Sequence, residues 1–237
     1  MNSRYWWILL TYIIMQLSSF IGLPLLLLFE IPLEMAVGIW TTLAFSVGLL
    51  VIILFLRKEI TERHLERSRS TRGEAVLWSI IGVFLAFFAQ YVAAIIELFV
   101  LGIEPGSENT ENIIQMIKAF PALIVVVAVI GPILEEIVFR LIIFGSLYKR
   151  YNFFISAMIS SLIFAAVHVD FTHLLIYTAM GFTFAYLYVK TKRILVPIVA
   201  HVAMNSFVTL TRVVYGEQLE ELQRQLEQMQ QFIGGFL

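Results

Sequence analysis

Seven apolar runs, at residues 5–29, 34–56, 75–102, 119–147, 152–169, 171–189 and 194–214, occupy most of this 237-residue chain. A run of about 20 apolar residues is long enough to cross a bilayer as a helix, and a helix satisfies its own backbone polar groups in lipid. The sequence therefore predicts an all-α, polytopic transmembrane bundle of about seven spans. Composition agrees: 60% of residues are hydrophobic and 14% charged, against roughly 25% charged in soluble domains, and the mean hydropathy is +0.89. One compact bundle is expected, with no room for a separate soluble domain. The first run is longer than the apolar core of a signal peptide and lacks a convincing cleavage site, so it reads as a retained span. The fifth and sixth runs are short and closely joined, which makes their shared boundary the least defined.

Charge placement orients the bundle. Arg4, the cluster Arg57, Lys58, Arg63, Arg67, Arg69 and Arg72, the pair Lys149 and Arg150, and the set Lys190, Lys192 and Arg193 fall on alternate connections. Basic residues favour the cytoplasmic side, which places a multi-pass protein in the cell membrane, its N-terminus in the cytoplasm and its C-terminus outside. A net charge of −1 gives no reason to expect nucleic acid as a partner. The absence of cysteine excludes a disulfide scaffold, a thiol nucleophile and a thiolate metal site.

Three regions are expected within one structural unit. Residues 1–118 hold N-terminal spans and the basic cytoplasmic loop, which includes a solvated His64. Residues 119–214 form a polar-cored membrane region, and 215–237 a Gln/Glu-rich tail. In that tail Leu219, Leu222, Leu226 and Met229 recur at helical spacing, predicting a short amphipathic, interfacial helix. Segment 104–118 reads as an acidic external loop that can edge a substrate entry.

Inside 119–214, ionisable and amide groups recur at helical spacing within runs that should otherwise dissolve in lipid. They are Glu135, Glu136 and Arg140; then Phe164 and His168; then His201 and Asn205. Ionisable groups at bilayer depth are costly and mark functional sites by default. Glu136 and Arg140 are i,i+4 neighbours that can pair. Glu135 is rotated about 100° away and is left to face the bundle interior, where a carboxylate can act as a general base. His168 can help orient and deprotonate a water. His201 and Asn205 project together and can donate to the oxyanion of a tetrahedral intermediate. Taken singly, each set also fits a structural ion pair, a transporter's proton relay or an interhelical clamp. Together they supply the base, the held water and the oxyanion stabiliser that peptide hydrolysis requires. Competing protease chemistries are poorly served: Asp170 is the sole aspartate, and neither a His-Glu-x-x-His motif nor a Gly-x-Ser-x-Gly elbow occurs.

The order Glu-Glu-x-x-x-Arg, Phe-x-x-x-His, His-x-x-x-Asn on successive membrane segments resembles the CAAX-protease and bacteriocin-processing family, which includes the type II CAAX prenyl endopeptidases. The resemblance covers roughly residues 119–214. It implies an integral membrane endopeptidase with Glu135 as catalytic carboxylate acting with His168 on water, and His201 and Asn205 on the oxyanion side. Glu136, Arg140 and Phe164 would support them. A peptide or protein substrate is implied, and a prenylated or membrane-bound one is permitted. No cofactor is favoured, although Glu135, His168 and His201 also make up a Glu/His/His set that can hold zinc. The rival is a proton-coupled transporter or bacteriocin-immunity protein using the same polar core without proteolysis.

Two further expectations bear on geometry. Counted from the cytoplasmic links at about 1.5 Å per residue, Glu135 and His168 lie roughly 20–25 Å deep and His201 nearer 12 Å, so tilt, a bend near Pro197 or a shifted fifth span must align them. Asp170 and His173 read as a surface pair in the link between spans five and six, and Glu97 as a snorkelling or helix-end acid.

Overall fold

The computed structural model describes residues 3–63 and 69–234, where all regular structure is helical. His64 and Arg67 of the basic loop lie outside the described residues. The first apolar run forms α1 (Ser3–Leu17) and α2 (Ser19–Leu27), followed by α3 (Leu33–Arg63) and α4 (Arg72–Phe99). Part of the acidic segment expected as a loop is helical, as α5 (Glu108–Ala119). Then come an interrupted helix α6 over residues 123–147, α7 (Phe153–Ala166), α8 (Leu174–Thr191) and α9 (Leu195–Gly234). The C-terminal tail is helical, continuing α9 without a break.

Four stretches, Ser3–Leu27, Leu33–Arg57, Arg72–Phe99 and Leu195–Gly216, are long and apolar enough to cross a bilayer. The other three apolar runs are helical too, but α6 is interrupted and α7 and α8 are shorter. Only 17–28% of each of the four long spans is buried within the protein. The remaining apolar side chains, among them Phe20, Phe84, Phe88 and Phe99, face outward, as a lipid solvent requires and water would not tolerate.

Capping defines where the helices begin. Thr71 and Glu74 exchange side-chain and backbone bonds at 3.2 and 2.7 Å, a capping box that starts α4. Asn152 accepts from Ile155 N–H at 3.0 Å to start α7. Helix α8 packs against both α4 and α7. At Gly181 the approach to α7 is so close that a Cβ would lie 3.0 Å from the Ser161 Cα, the small-residue crossing usual between membrane helices.

The two ends of the bundle differ in charge. At one, Arg193 Nε donates to Ser70 O (2.7 Å), Ser70 N–H to Thr191 O (3.1 Å) and Arg69 Nε to Lys192 O (3.2 Å), so that two basic links meet. At the other, Glu97, Gly106, Ser107, Asp170 and His173 interlock. The core between them holds the site.

Candidate active site

Helix α6 carries the carboxylates, and its sequence prevents it from being a regular α-helix. Pro132 has no N–H and clashes with the preceding turn. The backbone is π-helical over Val126–Ile130, α-helical over Gly131–Glu135 and π-helical again over Glu136–Phe144. Such wide turns cluster at functional sites. The missing Pro132 N–H leaves the Val127 carbonyl, one turn back, without its ladder partner, and α9 contacts this turn across the interface. Asn205 Nδ2 donates to Val127 O and Ser206 Oγ to Ala128 O, each at a long 3.5 Å.

The two glutamates diverge. Glu136 is fully buried; its Oε2 lies 3.3 Å from Arg140 Nε, and its Oε1 accepts from His201 Nδ1 at 2.9 Å. The Arg140 guanidinium, also buried, makes no aligned hydrogen bond among the described residues, so its contact with Glu136 is Coulombic. It lies over the Phe164 ring at 4.3 Å and the Phe184 ring at 5.5 Å, whose faces attract a cation. Glu135 is 18% exposed on the wall of a cavity of about 480 Å³, with its Oε2 3.8 Å from His201 Nε2. The expected depth gap between Glu135 and His201 is therefore closed.

His168 sits beyond the end of α7, in the turn that follows Ala166. Its Nδ1 lies 2.7 Å from Phe164 O. A carbonyl only accepts, so Nδ1 carries a proton and donates it to Phe164 O. The ring stacks on Tyr177 at 4.2 Å. Among the described residues no hydrogen bond joins His168 to Glu135, but both line the same cavity, with His201 and Asn205. Phe164 thus serves the site twice, through its carbonyl to His168 and its ring to Arg140.

Spacing along one helix does not reveal the aromatic surface under His201: Phe184 stacks on it with centroids 4.5 Å apart. Nor does the outer cluster match its expectation. Glu97 and His173 are buried, not snorkelling or paired at the surface, and His173 Nδ1 meets Glu97 Oε2 at 2.7 Å while its Nε2 meets Gly106 O at 2.5 Å. Asp170 accepts from Ser107 Oγ at 2.7 Å and from His173 N–H at 3.4 Å. Burial pushes the His173 ring toward neutrality, but the bonds to Glu97 and Gly106 and the charges of Asp170 and Glu97 outweigh it and hold the ring above the ordinary histidine range. The available signal was two ionisable groups at the same end of neighbouring apolar runs. Among the described residues no three His, Asp or Glu side chains converge as a metal centre.

Comparison with known proteins places this geometry. Residues 117–207, which hold every group just described around Glu135, match the family described as type II CAAX prenyl endopeptidase Rce1-like. A Bacillus subtilis (strain 168) protein named "Putative membrane peptidase YdiL" is 47% identical over 247 aligned residues, covering 99% of each chain. The chain belongs to the Rce1-like CAAX protease family. It is a membrane peptidase, a hydrolase. The Rce1-like chain is also 35% identical to the membrane-embedded CAAX protease MroQ of Staphylococcus aureus (strain USA300), over 94% of its own length and 96% of that protein's. No solved structure gives a significant match.

Proposed function

We propose that this Rce1-like peptidase cleaves its substrate by metal-independent attack of water, with Glu135 as general base. The observation that carries the reading is the convergence of four different chemistries on one cavity. A part-exposed carboxylate, a histidine anchored through Nδ1, a second histidine held by a buried carboxylate and a side-chain amide all line it. Water held between Glu135 and His168 Nε2 attacks the scissile carbonyl, and Glu135 takes its proton. The carbonyl oxygen becomes an oxyanion that accepts from Asn205 Nδ2 and from protonated His201 Nε2. Collapse breaks the C–N bond and returns the proton to the leaving amine, restoring the carboxylate. Glu136 and Arg140 act behind this line, fixing the His201 ring through Nδ1. The substrate in this reading is a membrane-bound peptide or protein, reached from the bilayer.

The test is cleavage of quenched peptides by wild type, Glu135→Gln and His168→Ala, with and without chelator. Loss of roughly 10²–10⁴-fold in both variants, unaffected by chelator, is the expected result. Activity lost on chelation and restored by zinc overturns the mechanism.

The clustering of basic links at one end supports an N-terminus in the cytoplasm and a C-terminus outside. The cysteine-free sequence makes labelling clean. A single Cys replacing Glu108 should react with impermeant maleimide on intact cells, and one replacing Ser70 only after permeabilisation. The reverse pattern inverts the topology.

A further inference from the structure

We propose that Tyr177 is a positioning residue for His168, its ring the platform that fixes the plane of that imidazole in the cavity. The proposal rests on the peptidase reading above, in which His168 helps hold the attacking water. Nothing local gives His168 such a platform. It lies in the turn after α7, between the exposed Val167 and Val169, and Val169 takes a φ of 56°. Its Nδ1 bond to Phe164 O fixes one ring atom, and a single hydrogen bond tolerates a wide range of angles.

Two aromatic rings restrict the rest. Phe164 meets the imidazole edge-on, with centroids 4.6 Å apart and planes at 65°. Tyr177 lies much closer to parallel, at 4.2 Å and 29°. A face packed at that distance resists tilting of the imidazole, and it holds only if Tyr177 is itself held. Tyr177 is fixed at both ends. Its backbone lies in the first turn of α8, with its N–H on His173 O at 3.3 Å. Its hydroxyl meets the side chains of Asn109 and Ser107 at the start of α5. Ser107 Oγ gives its one proton to Asp170 (2.7 Å) and accepts from Thr110 N–H (3.2 Å), so toward the phenol it can only accept. The hydroxyl thus faces the rim, and the ring spans from there to His168 along the cavity wall. Tyr177 acts through His168 and makes no proton transfer of its own. Placement alone carries rate, since a shift of about 1 Å at a reacting group can cost about 10²-fold.

The experiment uses the full chain in nanodiscs, quenched-peptide kinetics, and NMR of labelled histidine rings, with His168 assigned by the signal lost in His168→Gln. Tyr177→Leu should lower kcat by about 10- to 100-fold and change KM by no more than about twofold. Tyr177→Phe keeps the face and loses the hydroxyl, so it should retain kcat within about threefold. Tyr177→Met, bulky but without a flat face, should match the Leu variant and guards against a folding defect peculiar to it. In the His168→Ala background, Tyr177→Leu should have little further effect. The ring current of Tyr177 moves the His168 ring protons upfield, a displacement that should persist in Tyr177→Phe and disappear in Tyr177→Leu. A Phe variant as slow as the Leu variant overturns the proposal, because the hydroxyl would then act. A loss confined to KM overturns it too, as does a loss additive with His168→Ala. Absence of wild-type turnover counts against the peptidase mechanism alone. The His168 signal then decides: moved by Tyr177→Leu it supports the platform, and unmoved it overturns it.

Discussion

Glu136 connects more of the site than the base it adjoins, because both of its oxygens are engaged at once, one by Arg140 and one by His201. Removing a partner from a buried pair strands the other charge, which costs about 3–5 kcal/mol. Glu136→Ala should therefore lower thermal stability in detergent markedly, because the Arg140 guanidinium would be left with aromatic faces alone. Glu136→Gln also removes the charge facing Arg140, but its amide oxygen can still accept from His201, so it should cost somewhat less, and it should reduce kcat more than it raises KM. Equal melting temperatures for the two variants would contradict this account. The pairing with Arg140 was legible from i,i+4 spacing, because both residues lie on one stretch of helix. The bond to His201 was not: it arrives from α9, 65 residues away in sequence, and i,i+4 reasoning sees only one helix at a time. The same limit hides the second commitment of His201, whose Nδ1 bonds Glu136 while its Nε2 faces Glu135.

Helix α6 owes its shape to one residue. Pro132 interrupts the ladder, the turns on either side widen, the freed Val127 carbonyl is met by Asn205 of α9, and Ser206 reaches the neighbouring Ala128 carbonyl. The proline, itself on the cavity wall, thereby orients the Asn205 amide. Pro132→Ala restores an N–H and lets α6 close its own hydrogen bonds, which withdraws acceptors from Asn205. Folding should be unharmed or improved, while kcat falls about tenfold, a fraction of the 10²–10³ that a lost oxyanion donor costs. In the background of Asn205→Ala the same change should have little further effect. Additive losses would show that the proline acts elsewhere. The sequence marked Gly131-Pro132 as a place where the helix loosens. It could not show that loosening on two sides of the glutamates would resolve the depth mismatch, because straight-rod counting assumes one rise per residue throughout. Nor could apolar periodicity place the end of α7: the run continues to Val169, but the helix stops at Ala166 and His168 serves from the turn.

The charged ends and the cavity fit together as one device. The mouth of the cavity includes Gly106, Ser107, Asn109, Thr110 and His173, so the chain leading into α5 forms part of its rim. That rim is tied down by His173, whose two ring nitrogens both face acceptors, Glu97 Oε2 and Gly106 O. Both bonds exist together only when both nitrogens carry protons, that is, when the ring is an imidazolium. Glu97 comes from the end of α4, Gly106 from the rim, and Asp170 from the α7–α8 turn, and Asp170 also holds Ser107. The ring thus adds a proton-dependent tie between α4 and the rim, which Asp170 and Ser107 already join to the α7–α8 turn. The folded ring titrates above its usual value, so its contribution is complete below about pH 6.5, the unfolded value, and is lost as pH rises through the raised folded value. Amide exchange at Ser107–Thr110, corrected for intrinsic rates, should accelerate across that upper window as the Gly106 bond is released. Glu97→Gln weakens the hydrogen bond that most favours the imidazolium and removes a nearby charge, so it should move the transition to lower pH. His173→Gln, which cannot titrate, should abolish the transition altogether. A pH profile shared by wild type and His173→Gln would mean that the rim is held by Asp170 and Ser107 without help from the ring.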